Sequence, residues 1–356
     1  MNRLILSVMS LALVCVADAQ APTPSAETRP FRMGFTGFVP AYTKEGVDST
    51  KAFCRKHADF MAHHIEGAAW TEMHSGEPLP AKLLDSWKSK RGRAPDGGKT
   101  FLALSPGRGE LKVCDNCAPL AKDLKSRGYG DAEVIATYVQ WCQKAIDYFK
   151  PDWLVIGIEM NEVMKSNPAA WSGYLKLHEE ARKALKKDHP ALPIAASFSL
   201  HTLFKGGDAA WKEWQRLDAG NDFVAVSYYP FLSAERLRPI EWLLERADGR
   251  TKPIAFVETG DAAEVLPMPK AKVTIQGSPA KQRDYFDYLL TLAERRRFSF
   301  VVSFIHQDYD ELWETIKKDA PELFMAWRDC GLIDEKGRER PALKIWDQWL
   351  SRKAQP

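Results

Sequence analysis

From Met33 onward, short runs of β-branched and aromatic residues alternate with longer stretches whose apolar positions recur every three or four residues. The first pattern predicts strands and the second predicts amphipathic helices. Eight strand-like runs stand out: Met33 to Phe38, Phe60 to Ile65, Thr100 to Ser105, Trp153 to Ile158, Ile194 to Phe198, Phe223 to Tyr228, Ile254 to Val257, and Phe298 to Ile305. Between Ala132 and Phe149, the residues Val134, Tyr138, Trp141, Cys142, Ala145 and Phe149 share one helical face, and another helix is predicted over Pro168 to Lys187. Pro151, Pro193 and Pro253 each stand just ahead of a run. A proline there stops the preceding helix before the strand begins.

Regular alternation of this kind is the signature of parallel βαβ units. Eight units in one chain close most economically into a barrel, because closure removes both sheet edges. The pattern therefore predicts an α/β chain with a single-domain (β/α)8 (TIM) barrel over residues 31–352. The last helix, near Pro341 to Leu350, completes the outer ring. Its Trp346 and Trp349 read as packing residues, as do Trp211 and Trp214.

The N-terminus departs from this pattern. Met-Asn-Arg, an apolar run from Leu4 to Val16 and Ala17-Asp18-Ala19 follow the order of a secretory signal peptide, assigned to residues 1–19. Residues 20–30, rich in Pro, Thr, Ser and Ala, read as a flexible tether. The chain is expected to be secreted or periplasmic, with no membrane association once the signal is removed. A net charge of +3 over 356 residues makes no case for nucleic-acid binding. A monomer is expected. Of the six cysteines, Cys15 leaves with the signal, and Cys114-x-x-Cys117 is the expected local disulfide. No cofactor and no metal is called for.

In a barrel of this kind the chemistry gathers where strands end, at the carboxyl face. Two runs end in glutamate: Trp153-Leu-Val-Ile-Gly-Ile-Glu-Met-Asn161-Glu162, and Ile254-Ala-Phe-Val-Glu258. A carboxylate after an apolar run is costly to desolvate unless it is paired or used. Hydrolysis of a glycosidic bond needs one carboxyl that carries a proton for the leaving oxygen and one ionised carboxylate across the anomeric carbon. Glu162 and Glu258 supply such a pair. Glu159, on the same run as Glu162, is the internal rival for the first role.

These motifs resemble the clan A retaining glycoside hydrolases. The segment Val226-Ser-Tyr-Tyr-Pro-Phe231 is similar to the sixth strand of the endo-β-1,4-galactanase (arabinogalactan-cleaving) family, and Gly331 to Pro341 is similar to the turn before its last helix. The resemblance implies Glu162 as acid/base, Glu258 as nucleophile, Asn161 on the sugar 2-hydroxyl, and Tyr228 or Tyr229 holding the nucleophile, with Tyr228 taken as the inward one. It implies a β-linked oligo- or polysaccharide as substrate, cut internally. The second run ends in His63-His64-Ile65-Glu66 where the clan carries arginine, and the eighth ends in Phe304-Ile305-His306-Gln307 where it carries tryptophan. His64, Glu66 and His306 are then candidate sugar hydrogen-bonders, and Trp70 or Trp313 a candidate stacking platform.

Two other readings fit the same residues. One is a barrel that binds carbohydrate without cleaving it, since function belongs to the site and not to the fold. The other is a metal-dependent hydrolase using His63, His64, Glu66, His306 and Asp308.

Overall fold

The computed structural model describes residues 27–249 and 251–355. Eight parallel strands form one ring: β1 (Arg32–Thr36), β2 (Phe60–Glu66), β3 (Lys99–Ser105), β4 (Trp153–Val155), β5 in two pieces (Ile194–Ala195 and Ser197–Ser199), β6 (Val224–Tyr228), β7 (Ile254–Thr259) and β8 (Phe300–Ser303). Each pairs in parallel with the next, and β8 returns to β1 through Phe300↔Arg32 and its neighbours. The fifth strand is interrupted at Ala196, where the Asn221 side chain stands in for a neighbouring strand. It accepts from the Ala196 amide at 2.9 Å and donates to its carbonyl at 3.3 Å. No backbone group is left unpaired at the break.

The period-2 alternation of each strand divides its side chains between two cores. Inside the ring, Phe60, Ala62, Phe101, Ala103, Val155, Ala195, Phe223, Ala225, Ala255, Val257, Phe300 and Val302 fill the barrel. Large rings meet small neighbours there: a Cβ added at Gly34 on β1 would lie 2.7 Å from the Phe60 ring. The alternate residues, among them Met33, Met61, Leu102, Val226 and Phe256, pack outward against the helices.

Four helices begin at residues that cap them. Thr43, Asp131, Asn167 and Ser278 accept first-turn amides of helices Lys44–His57, Ala132–Phe149, Pro168–Asp188 and Pro279–Arg295. Pro168 and Pro279 occupy the first turn, where the missing N–H costs nothing. The expected closing helix runs Pro341–Leu350, with Trp346 buried.

Two boundaries differ from expectation. The expected signal peptide lies outside the described residues, as does the tether up to residue 26. The tether's last residues belong to the folded body. Thr28–Arg29 pairs in parallel with Lys353–Ala354, and the buried Arg29 guanidinium bonds Asp59 at 2.6 Å and the Trp349 carbonyl at 3.0 Å. The fourth strand ends at Val155 and not at Ile158, because the chain bends through Gly157. Only glycine fits there, since an added Cβ would lie 1.7 Å from the Tyr174 hydroxyl oxygen. After β7 the chain forms an antiparallel hairpin, Val265–Met268 with Val273–Gln276, that the sequence pattern did not signal.

Candidate active site

Glu258 owes its position to a break in strand regularity. Ala255 and Val257 face into the barrel and Phe256 faces out, so strict alternation would turn Glu258 outward. The β6–β7 register shifts between Val226 and Ser227, so that Ser227 pairs with Glu258 instead of Val257. A bulge of this kind re-aims one side chain. The Glu258 carboxylate thus points inward, while Thr259 bonds the Tyr228 carbonyl and the Tyr285 hydroxyl behind the sheet.

Two side chains hold that carboxylate. His64 Nδ1, inward on β2 by alternation from Phe60 and Ala62, stands 3.2 Å from one oxygen, and the Tyr229 hydroxyl donates to the other. Burial alone would raise the Glu258 carboxyl. The His64 and Tyr229 hydrogen bonds, helped by the Arg108 charge, outweigh it and hold the group below the usual carboxylate range. The group is therefore ionised although its side chain is only 15% exposed.

The structure brings Glu159, not Glu162, to this cluster. After the bend at Gly157, Glu159 adopts a left-handed backbone with φ of 50°. For a residue with a Cβ that conformation costs roughly 1–2 kcal/mol, and such strain gathers at functional sites. Its amide donates to Ser197 Oγ at 3.0 Å, and its carboxylate lies 3.1 Å from Arg108. Burial first, then the neighbouring Glu258 charge, push the Glu159 carboxyl up to about 7 despite Arg108. Two carboxyls that share one environment are thereby separated, one kept ionised and the other able to hold a proton near neutrality.

Glu162 lies one turn further on, in the short helix Asn161–Ser166, where it accepts from Thr202 Oγ1 at 2.5 Å. Asn161 is buried, and its amide is spent on the backbone of Ser199, donating to the carbonyl at 2.9 Å and accepting from the amide at 2.8 Å. One of its two N–H donors and one acceptor site of its oxygen are thus engaged in tying the short helix to β5. The strand stops three residues early, which puts Glu159, and not Glu162, beside Arg108 and within reach of the Glu258 charge.

The tyrosine assignment is also corrected. Phe223 and Ala225 face inward, so alternation carries through Ser227 to Tyr229. Tyr228 points the other way, stacks on His201 and donates to the Arg236 carbonyl.

Among the candidate sugar contacts, Glu66 is at the mouth, 3.8 Å from Arg108 and 3.6 Å from Lys112. His306 is not, because its ring is buried against Phe53 behind the barrel. Trp70 is buried too, stacked on Tyr138 with its indole N–H donating to the Lys112 carbonyl at 2.8 Å. Trp313 is packed in a cluster with Ile305, Tyr309 and Leu312. Neither tryptophan offers a platform. Of the five residues of the metal-dependent reading only His64 and Glu66 are at the mouth, while His63 packs on Phe149, His306 on Phe53, and Asp308 is held by Arg340 at 2.6 and 2.8 Å.

Sequence reasoning missed three features of the mouth. Arg108 arrives on the loop after β3, a loop tied down by the bonded sulfurs of Cys114 and Cys117, by pairing of Ala68 with Val113, and by Tyr129, whose hydroxyl donates to the Glu110 carbonyl at 2.6 Å. Trp327 and Phe304 both pack edge-on against Tyr229, with ring centroids 5.6 and 6.1 Å away. Phe304 was legible as the next inward residue after Phe300 and Val302. Trp327 ends the 3-10 helix Glu322–Trp327, which the sequence pattern did not signal.

No protein-family model matches the sequence, and no curated protein matches it. Solved structures do. The exo-beta-1,4-mannosidase Op5Man5 from Opitutaceae bacterium strain TAV5 aligns with a TM-score of 0.61 and 12% identity over 91% of this chain, which spans 60% of the mannosidase's length. A GH5_18 protein from Bifidobacterium longum subsp. longum aligns with a TM-score of 0.63 and 14% identity, covering 92% of this chain and 81% of that one. The GH53 catalytic domain of Ignisphaera aggregans aligns with a TM-score of 0.56 and 16% identity, covering 90% and 96%. At these identities the likeness is one of fold: this chain has the single-domain (β/α)8 barrel of those structures.

Proposed function

We propose that this protein is a retaining glycoside hydrolase acting on a β-linked oligo- or polysaccharide, with Glu258 as nucleophile and Glu159 as acid/base. One observation carries the reading: two glutamates at one barrel mouth whose surroundings push their protonation in opposite directions. Glu258 attacks the anomeric carbon while Glu159 gives its proton to the departing oxygen, and the glycosidic bond breaks. Glu159, now ionised, takes a proton from water, whose oxygen displaces Glu258 from the sugar. Tyr229 and His64 position the nucleophile, and the aromatic surface of Phe304 and Trp327 is suited to the C–H face of a sugar ring. The glycoside hydrolase neighbours support the same class, as does the strained backbone of Glu159. The signal-like N-terminus supports export, so the substrate is one met outside the cytoplasm.

The test is a screen of purified mature protein against β-galactan, β-mannan and β-glucan, with the anomeric configuration of new ends followed by NMR. Retention of configuration, lost with Glu258→Gln, is the expected result. Inverted product, or full activity in Glu258→Gln, would overturn it.

A further inference from the structure

Arg108 and Lys112 bring two positive charges to the barrel mouth on backbone that is held in place. Gly107 and Gly109 flank Arg108 with φ of 118° and 98°, a region that favours glycine, and a Cβ added at Gly107 would lie 2.1 Å from the Glu110 carbonyl oxygen. The Lys112 amide donates to the Pro106 carbonyl at 2.9 Å. The Lys112 carbonyl accepts from the Ala68 amide at 2.9 Å and from the buried Trp70 indole at 2.8 Å. The fold thus fixes where both side chains start.

Their charged ends are engaged far less firmly. Arg108 stands 3.1 Å from Glu159 and 3.8 Å from Glu66, and Lys112 stands 3.6 Å from the other oxygen of Glu66. All three separations exceed the roughly 2.7–2.9 Å of a charge-assisted hydrogen bond. Arginines that tie the fold together differ, since Arg29, Arg236 and Arg340 each reach a carboxylate at 2.6 Å. The side chains of Arg108 and Lys112 are also 47% and 54% exposed. Both cations therefore keep strong donors free for a ligand.

The balance of charge says which ligand group. An acid must hold its proton before the bond breaks. With Glu159 protonated, Glu66 is the one ionised carboxylate within ion-pairing distance of either cation among the described residues. Glu258 is held elsewhere, by His64 and Tyr229. Two positive charges then share one negative charge, at a place the substrate must pass to reach Glu159.

We propose that the glycan cleaved here is anionic, with its carboxylate or sulfate group bound by Arg108 and Lys112, and that Lys112 is a specificity-determining residue. This rests on the hydrolase reading above and names the substrate class of the same site. The planar guanidinium fork matches paired anionic oxygens, and the ammonium adds a second charge. The bound anion also serves the reaction. It takes up the Arg108 charge that otherwise favours ionised Glu159, while the charges of Glu258, Glu162 and Glu66 already act to keep the proton on that acid.

The test uses the mature protein and β-linked oligosaccharides of glucose, galactose and mannose, each carrying a 6-hydroxyl, a 6-carboxylate or a 6-sulfate. On the backbone cleaved fastest, kcat/KM for an anionic form should exceed that for the neutral form by about tenfold or more at low salt. The excess should shrink as sodium chloride is raised, because salt screens exposed charges. Lys112→Gln should lower the anionic-to-neutral ratio about tenfold, and Lys112→Glu should lower it further. Preference for the carboxylate form assigns the site to uronates, and preference for the sulfate form assigns it to sulfated sugars. Neutral forms cleaved as well as both anionic forms on every backbone would overturn the proposal and leave the hydrolase reading standing, as would a preference that neither Lys112 variant alters. Absence of turnover on every compound removes the hydrolase reading instead. Calorimetry with the same compounds then decides the anion site by itself: tighter binding of an anionic form, lost in Lys112→Gln, keeps it, and equal or no binding overturns it.

Discussion

The Arg108 guanidinium stands 3.1 Å from the Glu159 carboxylate, so a fixed positive charge faces the group assigned to carry the catalytic proton. Such a charge favours the ionised form and works against an acid. Burial and the Glu258 charge outweigh it and keep the Glu159 carboxyl raised. Replacing Arg108 with Gln removes the one opposing influence among these. The pKa of Glu159 should then rise, moving the basic limb of the kcat/KM profile to higher pH. A basic limb that stays in place or moves down would show that Glu159 is not the acid.

The unmodified protein should give a bell-shaped profile. Under the proposed mechanism, activity requires Glu258 ionised and Glu159 protonated. The acidic limb belongs to Glu258, held below the ordinary carboxylate range, and the basic limb to Glu159, near pH 7. Measuring kcat/KM between pH 3 and 9 checks both limbs.

Tyr229→Phe deletes one donor to the Glu258 carboxylate. A hydrogen bond to a charged group is worth about 1.5–3 kcal/mol, so kcat/KM should fall roughly 10- to 100-fold. The acidic limb should also shift upward, because the ionised form loses support. Tyr228→Phe touches no part of this network, and a loss of the same size there would reverse the two assignments.

Glu159→Gln should lower the rate on substrates with poor leaving groups by about 10²- to 10⁴-fold, the usual worth of a general acid. The loss should be much smaller on 2,4-dinitrophenyl glycosides, whose departure needs little protonation. Equal losses on both would argue against an acid role.

Arg29→Ala leaves Asp59 without its partner and unpins the paired chain ends. Breaking a largely buried ion pair costs about 3 kcal/mol. Thermal unfolding followed by circular dichroism should show a drop of several degrees, whereas Lys44→Ala, which breaks only an exposed helix pair, should shift the midpoint by less than about one degree.

Strand and helix periodicities and proline stops were enough to anticipate the barrel and the order of its units. These are local properties. A period of two or of three to four residues follows from backbone geometry and can be read within a short window, and eight repeats leave few ways to close a sheet. The inward direction of Tyr229 could have been counted from Phe223 and Ala225, although Tyr228 was the residue expected there.

The remaining site features were decided by contacts between distant parts of the chain. Whether Glu159 or Glu162 comes beside Arg108 depends on where β4 stops, at the bend where the Tyr174 hydroxyl of the helix Pro168–Asp188 crowds Gly157. Glu258 faces inward only because a bulge against β6 breaks the alternation that the sequence by itself would predict. Arg108 reaches the mouth on a loop and Trp327 at the end of the 3-10 helix Glu322–Trp327, whose paths follow from packing and not from any repeating pattern. A sequence shows which side chains can do chemistry; their meeting in one cleft depends on irregularities of one residue, and those are fixed only when the whole barrel closes around them.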